Sequence, residues 1–185
     1  QGYNTFTMLQ LAQATSIVAA GGIKHQPHLV LATEDAVTRV RTPVARAPAE
    51  NLGFKPENVA VVKRALVGVT QEGTATRVFA GAAYLSGGKT GTAQAVTIGQ
   101  KDRYNAAKLE EHQRDHAVYM AFAPAENPTI AIALIVENAG WGAQAAAPIA
   151  RRVFDYWVAG QYPNAEDMAA VRRGQGGERP HHRGR

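Results

Sequence analysis

Two apolar runs, His116 to Ala123 and Thr129 to Glu137, stand either side of Pro124-Ala125-Glu126-Asn127-Pro128. So short a turn leaves no room for a crossover helix, and the two runs must pair antiparallel. Neither run alternates between apolar and polar residues. Val118, Met120 and Phe122 are interleaved with Ala117 and Ala121, and Ile130, Ile132 and Leu134 with Ala131, Ala133 and Ile135. A sheet with two apolar faces needs cover on both. The prediction is therefore an α+β fold, an α/β/α sandwich in which an antiparallel sheet carries helices on both faces. With 185 residues, 45% of them hydrophobic, the chain can bury a core, and one domain is expected.

The covering helices can be placed. Thr7-Met8-Leu9-Gln10 fits a capping box, in which the Thr hydroxyl and the Gln side chain each satisfy a free amide of the first turn. A helix should start at Met8, with Met8, Leu11, Ala12, Thr15, Val18 and Ala19 inward and Gly21-Gly22 as its stop. Pro56 opens a second helix whose inward positions are Val59, Val62, Leu66 and Val69, ended by Gly73. A last helix has Pro148 in its first turn, Ile149, Val153, Tyr156 and Trp157 on its apolar side, and Gly160 at its end. Between these elements, residues 28 to 41 read as a short hairpin around Thr33-Glu34-Asp35. Thr42 to Phe54 reads as a surface connection, Thr74 to Ser86 as a loop, and Lys89 to Ile98 as a strand.

Charge narrows the partner class. Of 20 basic and 15 acidic residues, five (Arg172, Arg173, Arg179, Arg183, Arg185) and one (Glu178) fall in the last 14 positions, leaving 15 and 14 in residues 1–171. The basic character belongs to the tail, expected to be disordered, and residues 1–171 form a nearly neutral domain. Nucleic acid is not the expected partner. The absence of cysteine excludes disulfides and Cys-ligated metals. No apolar run reaches the ~18 residues of a membrane span. The start at Gln1 reads as a cut within a longer chain.

The segment Ser86-Gly87-Gly88-Lys89-Thr90-Gly91-Thr92-Ala93-Gln94 carries three overlapping signals. Ala83 to Thr90 satisfies a loosened phosphate-loop pattern, yet residues 91–98 make a poor helix and a fair strand, whereas a phosphate loop needs a helix there. Ser86 and Lys89 match Ser-x-x-Lys, but Gly87-Gly88 makes a helical turn between them costly, about 2 kcal/mol relative to two alanines. Ser86 is read as a loop residue. The third signal is Lys89-Thr90-Gly91 on a strand, the Lys-Thr-Gly element of penicillin-recognising serine acyltransferases. An ammonium and Thr hydroxyls can hold a carboxylate, and a glycine lets a peptide lie close to the strand. Taken alone, the tripeptide is more often a solvated lysine on a sheet edge.

Its surroundings change that balance. Gly-Lys-Thr-Gly-Thr-Ala-Gln at 88–94, Arg103-Tyr104-Asn105, Arg114-Asp115-His116, Phe122-Ala123-Pro124, Asn127-Pro128 and Val136-Glu137-Asn138 together resemble class B penicillin-binding proteins. The opening Gly-Tyr-Asn-Thr-Phe-Thr-Met-Leu-Gln-Leu-Ala is similar to the same family. Tyr-Asn-Ala-x-Lys at 104–108, with Arg-Asp-His after it, is most similar to the penicillin-binding protein 2 group, the elongation transpeptidases of Gram-negative bacteria. The resemblance covers residues 1–160 and corresponds to the C-terminal half of a transpeptidase domain.

The resemblance implies a five-stranded antiparallel sheet, three of whose strands are 87–98, 116–124 and 129–137. It also implies the reaction. A serine attacks the penultimate D-alanine carbonyl of a D-Ala-D-Ala stem peptide, expels the last D-alanine, and passes the acyl group to a neighbouring stem's amine. β-Lactams are trapped at the acyl step. By motif position, Lys89 assists proton traffic and sets a positive field. Thr90 and Thr92 hydrogen-bond the substrate carboxylate beside Gly91, and the Thr92 amide supplies half of the oxyanion hole. The implied partners are the peptidoglycan stem peptide, β-lactam antibiotics, the upstream half of the same domain, a SEDS-type glycan polymerase and elongation scaffold proteins. No cofactor is implied. The implied location is the periplasmic face of the bacterial inner membrane, with the anchor outside this segment.

The family's nucleophile motifs, Ser-x-x-Lys and Ser-x-Asn, do not occur in credible form here; in the family both lie upstream. The segment alone is expected to be inactive. The alternative reading is a noncatalytic penicillin-recognising sensor or scaffold. Ser16, Asp115 and the histidines have no triad spacing. His112 and His116, His25, His28 and His181-His182 are read as solvated or hydrogen-bonded rather than as metal ligands. Arg103 and Tyr104 are candidate cleft-rim residues, and Trp141 is read equally as cleft rim or as core packing.

Overall fold

A computed structural model describes residues 5–95, 109–165 and 168–169. The expected tail at 172–185, the end of the strand predicted to Ile98, and the loop bearing Arg103 and Tyr104 lie outside the described residues. The first helix, α1 (Met8–Ala19), begins as the capping box predicts. The Thr7 amide donates to Gln10 Oε1 (2.9 Å), and the Gln10 amide to Thr7 Oγ1 (3.2 Å). All six predicted inward positions are at least half-buried, with Thr15 and Ala19 fully so. Gly21 and Gly22 end the helix at φ 74° and 95°, a backbone that favours glycine.

Two minimal ribbons come next in the chain. Strand β1 (Ile23–Lys24) pairs with β4 (Glu50–Asn51), and β2 (Ala32–Glu34) pairs with β3 (Arg41–Pro43), both antiparallel. The hairpin expected at 28–41 is thus centred a little later in the chain. The stretch 42–54, expected as a plain connection, contains the end of β3 and all of β4. Strands of two or three residues leave no period to read. Asp35 shapes the β2–β3 turn: its Oδ1 accepts the amides of Val37 (3.0 Å) and Thr38 (2.7 Å). Those bonds hold its carboxyl below the usual carboxylate range.

Helix α2 (Pro56–Gln71) has its proline at the first position, as predicted. Val59 is buried, and Leu66 and Val69 are half-buried. Val62 is not inward but 47% exposed. Lys63 turns in instead, donating to Ala19 O (3.0 Å) and lying 5.7 Å from the centre of the Phe122 ring. Its long stem covers apolar surface while its ammonium caps α1. The segment expected as a loop from 74 to 86 contains a single helical turn, α3 (Thr76–Phe79).

The central sheet has the order β5 (Gly87–Ala93), β6 (His116–Ala123), β7 (Ile130–Val136), antiparallel throughout. Its register sorts residues by face. On one face, Ala117, Tyr119, Ala121 and Ala123 have no exposed surface and pack with Ile130, Ile132, Leu134 and Val136. Helix α4 (Gly142–Ala159) covers them with Ala146, Ala147, Ala150 and Phe154, joined by Ala75 and Phe79. Val118, Met120 and Phe122 project to the opposite face, where α1 packs on β6 and β7, and α2 reaches Phe122 through Lys63. Both faces of the sheet are covered, as the two apolar runs require.

Helix α4 differs from expectation in two respects. Pro148 lies in its interior, because the helix begins at Gly142. Ile149, Tyr156 and Trp157 are 38%, 48% and 58% exposed, and the helix buries its alanines and Phe154 instead. Small side chains let α4 approach the sheet closely. The buried face also carries an ion pair: Arg151 Nε donates to Asp155 Oδ1 (2.6 Å), and Arg151 Nη1 to the carbonyls of Val78 (3.0 Å) and Ala80 (3.2 Å). The Tyr84 hydroxyl donates to the same Asp155 oxygen (3.0 Å). These bonds tie the chain between α3 and β5 to α4, so that β5 enters the sheet at a fixed place. The helix stops at Gly160 (φ 64°), as predicted.

Candidate active site

Strand β5 sits at the end of the sheet and pairs only with β6 among the described residues. Its first two residues explain why this edge is glycine-rich. A Cβ on Gly87 would lie 2.5 Å from Phe122 Cζ, and one on Gly88 would meet the Tyr119 hydroxyl and, at 2.9 Å, the Met120 carbonyl. Rings from β6 press against the β5 backbone and leave no room for side chains. Burial pushes the Tyr119 phenol well above its ordinary range, so it stays neutral.

Lys89, Thr90, Gly91 and Thr92 all lie on β5, opposite Met120, Tyr119, Val118 and Ala117. Alternation sends Lys89 to one side of the strand and Thr90 and Thr92 to the other. Lys89 is exposed, and its Nζ donates to the Thr90 carbonyl (2.8 Å). The Thr90 hydroxyl lies 2.9 Å from that of Thr74. Ser86 and Lys89 do not form a helical pair. Ser86 is 1% exposed, at the entry to a strand, with its hydroxyl unpartnered among the described residues. No helix directly succeeds Lys89-Thr90, so the phosphate-loop pattern has no structural counterpart.

A Cβ on Gly91 would be in ordinary contact, 3.5 Å from Val118 Cβ. The close approach comes from above. A Cβ on Gly142, the first residue of α4, would collide with the Val118 carbonyl and lie 2.7 Å from the Gly91 carbonyl. The start of α4 therefore rests on the Lys-Thr-Gly strand. Trp141, the residue before it, is 71% exposed and so does not pack in the core.

Thr74 and Gly142 contact the Lys-Thr-Gly strand, and the sequence reading singled out neither for the site. Thr74 lies in a stretch without period, and Gly142 stands out in the sequence only as a flank of Trp141. Among the described residues, the side chains of His28, His112 and His116 have polar partners. His116 Nδ1 accepts the Asn138 amide (2.9 Å), and exposed His112 lies 3.4 Å from Glu110. No metal-binding cluster occurs among the described residues.

Comparisons with known proteins give the family of the chain. The penicillin binding protein transpeptidase domain matches residues 1–155. The peptidoglycan D,D-transpeptidase MrdA of Haemophilus influenzae is 39% identical over 170 residues, covering 90% of this chain and 26% of the relative. The enzyme of the same name from Acinetobacter baumannii is 43% identical over 160 residues, covering 85% and 23%. The chain thus spans about a quarter of the length of these curated relatives. Among solved structures, PBP2 of Pseudomonas aeruginosa, in complex with WCK 5153, superimposes with a TM-score of 0.67 at 35% identity, covering 90% of this chain and 34% of that one. On motif, strand geometry and these likenesses together, the chain belongs to the transpeptidase-domain family of class B penicillin-binding proteins, with homology to the penicillin-binding protein 2 group.

Proposed function

We propose that this chain is the Lys-Thr-Gly half of a peptidoglycan D,D-transpeptidase active site whose nucleophilic serine comes from the upstream part of the same domain. The observation that carries the reading is Lys89 exposed on a strand edge that is unpaired among the described residues, with Thr90, Gly91 and Thr92 in register after it on β5. An extended stem peptide laid along that edge brings its terminal carboxylate to the hydroxyls of Thr90 and Thr92, with Lys89 adding a positive field from the other side of the strand. Thr74 holds the Thr90 hydroxyl in place for this contact.

The chemistry divides between the two halves. The upstream serine adds to the penultimate D-alanine carbonyl, and its proton leaves with the departing D-alanine amine. Lys89 provides a fixed positive charge for that proton transfer and for the anion that develops. The Thr92 amide donates to the oxyanion. An amine from a second stem then attacks the acyl-serine, closing the cross-link and returning the proton to serine. β-Lactams enter the first step and stop there. The protein works at the periplasmic face of the inner membrane, anchored by a segment other than this one. A SEDS-type polymerase and elongation scaffold proteins are its natural partners.

Fluorescent penicillin tests the reading. The full-length protein is expected to become covalently labelled, and residues 1–185 alone are expected to remain unlabelled. A full-length protein that takes no label would point to a noncatalytic sensor or scaffold. Labelling of the isolated chain would place a nucleophile within it.

A further inference from the structure

We propose that His116 is a positioning residue of this site, whose Nδ1 accepts the Asn138 amide and so fixes where the first turn of α4 rests on the Lys-Thr-Gly strand. The inference rests on the transpeptidase reading above. Three hydrogen bonds join the turn between β7 and α4 to the leading residues of β6. The Asn138 amide donates to His116 Nδ1 (2.9 Å), Asn138 Nδ2 to the Arg114 carbonyl (3.0 Å), and the Gly140 amide to the Asp115 carbonyl (2.8 Å). Every donor is in the turn, and every acceptor belongs to residues 114–116. Asn138 sits at φ 57°, a left-handed conformation that asparagine adopts more readily than most side-chain-bearing residues.

What the staple positions is the site itself. Two residues past Gly140 comes Gly142, whose backbone lies against Gly91 and the Val118 carbonyl. His116 itself pairs across the sheet with Ala93, the neighbour of Thr92. Displacing the turn therefore moves the start of α4 and the exposed Trp141 relative to the strand proposed to receive substrate.

Of the three acceptors, two are backbone carbonyls that no side-chain substitution removes, and the third is the imidazole, so His116 is the position at which the acceptor row can be tested.

The test is the rate of acylation of the full-length protein by fluorescent penicillin near neutral pH. His116→Asn, whose side-chain oxygen can accept the same amide, is expected to stay within about threefold of wild type. His116→Leu, which offers no acceptor, is expected to be slower by about tenfold, the worth of one hydrogen bond. The proposal is overturned if His116→Leu acylates at the wild-type rate, or if His116→Asn is as slow as His116→Leu. Melting curves show whether the Leu variant folds; if it does not, the Asn variant decides alone, a rate about tenfold below wild type overturning the proposal. A wild type that never labels overturns the transpeptidase reading and this proposal together, whereas a labelled wild type with insensitive variants overturns only the role of His116.

Discussion

Lys89-Thr90 on β5 and Arg41-Thr42 on β3 present the same local chemistry, a cation next to threonine on extended backbone. Their surroundings differ. Strand β5 is pressed between the rings of Tyr119 and Phe122 and the first residue of α4, so its register and tilt are set by buried contacts. Strand β3 is exposed at every residue, and the ribbon around it leaves Leu29 fully exposed and Val37 90% exposed. A charge on a strand becomes a binding feature when packing fixes where it points. Without that packing, the same dipeptide is a mobile surface cation.

The comparison can be broken first at the two cations. Lys89→Ala in the full-length protein is expected to slow penicillin acylation about a thousandfold, in the range of a lost proton-transfer group, with little change in melting temperature. Arg41→Ala is expected to leave acylation unchanged. Equal effects of the two substitutions would sink the contrast. Backbone packing provides a smaller test. Gly88→Ala should destabilise the protein by about 1–3 kcal/mol through overpacking against Tyr119, measured by denaturant unfolding. Val37→Ala in the ribbon tip should stay within about 0.5 kcal/mol.

The smallest effect is local and pH-dependent. The carboxyl of Asp35 is lowered from its ordinary 3.8 by the amides it accepts, so its support of the ribbon turn is complete above that value. It is lost only as pH falls through the lowered value. Nuclear magnetic resonance should show the Val37 and Thr38 amides shifting in strong acid but not near neutrality. Asp35→Ala should abolish that transition, while β5 amides track neither change.

Legibility divides along the same line. The capping box at Thr7 and Gln10, Pro56 at a helix start, and the two apolar runs of β6 and β7 each impose a local rule, and each element forms where that rule puts it. Val62 is misplaced by its period because Lys63, counted as polar, lays its stem inward. The face of α4 is misread because large side chains dominate a hydrophobic period, whereas close packing on the sheet selects Ala146, Ala147 and Ala150. Within the site, Lys89 is legible from its motif and strand context. The Thr74 contact and the His116 to Asn138 bond are not, because each joins segments distant in sequence through a single polar atom.

The edge of β5, unpaired among the described residues, has a consequence before any substrate arrives. Backbone amides and carbonyls on such an edge can accept a second extended chain, including a neighbouring copy during folding. A lysine on such an edge discourages that, because two copies zipped together would bring like charges face to face. Lys89 is therefore expected to guard solubility with the same ammonium that is proposed to serve the reaction.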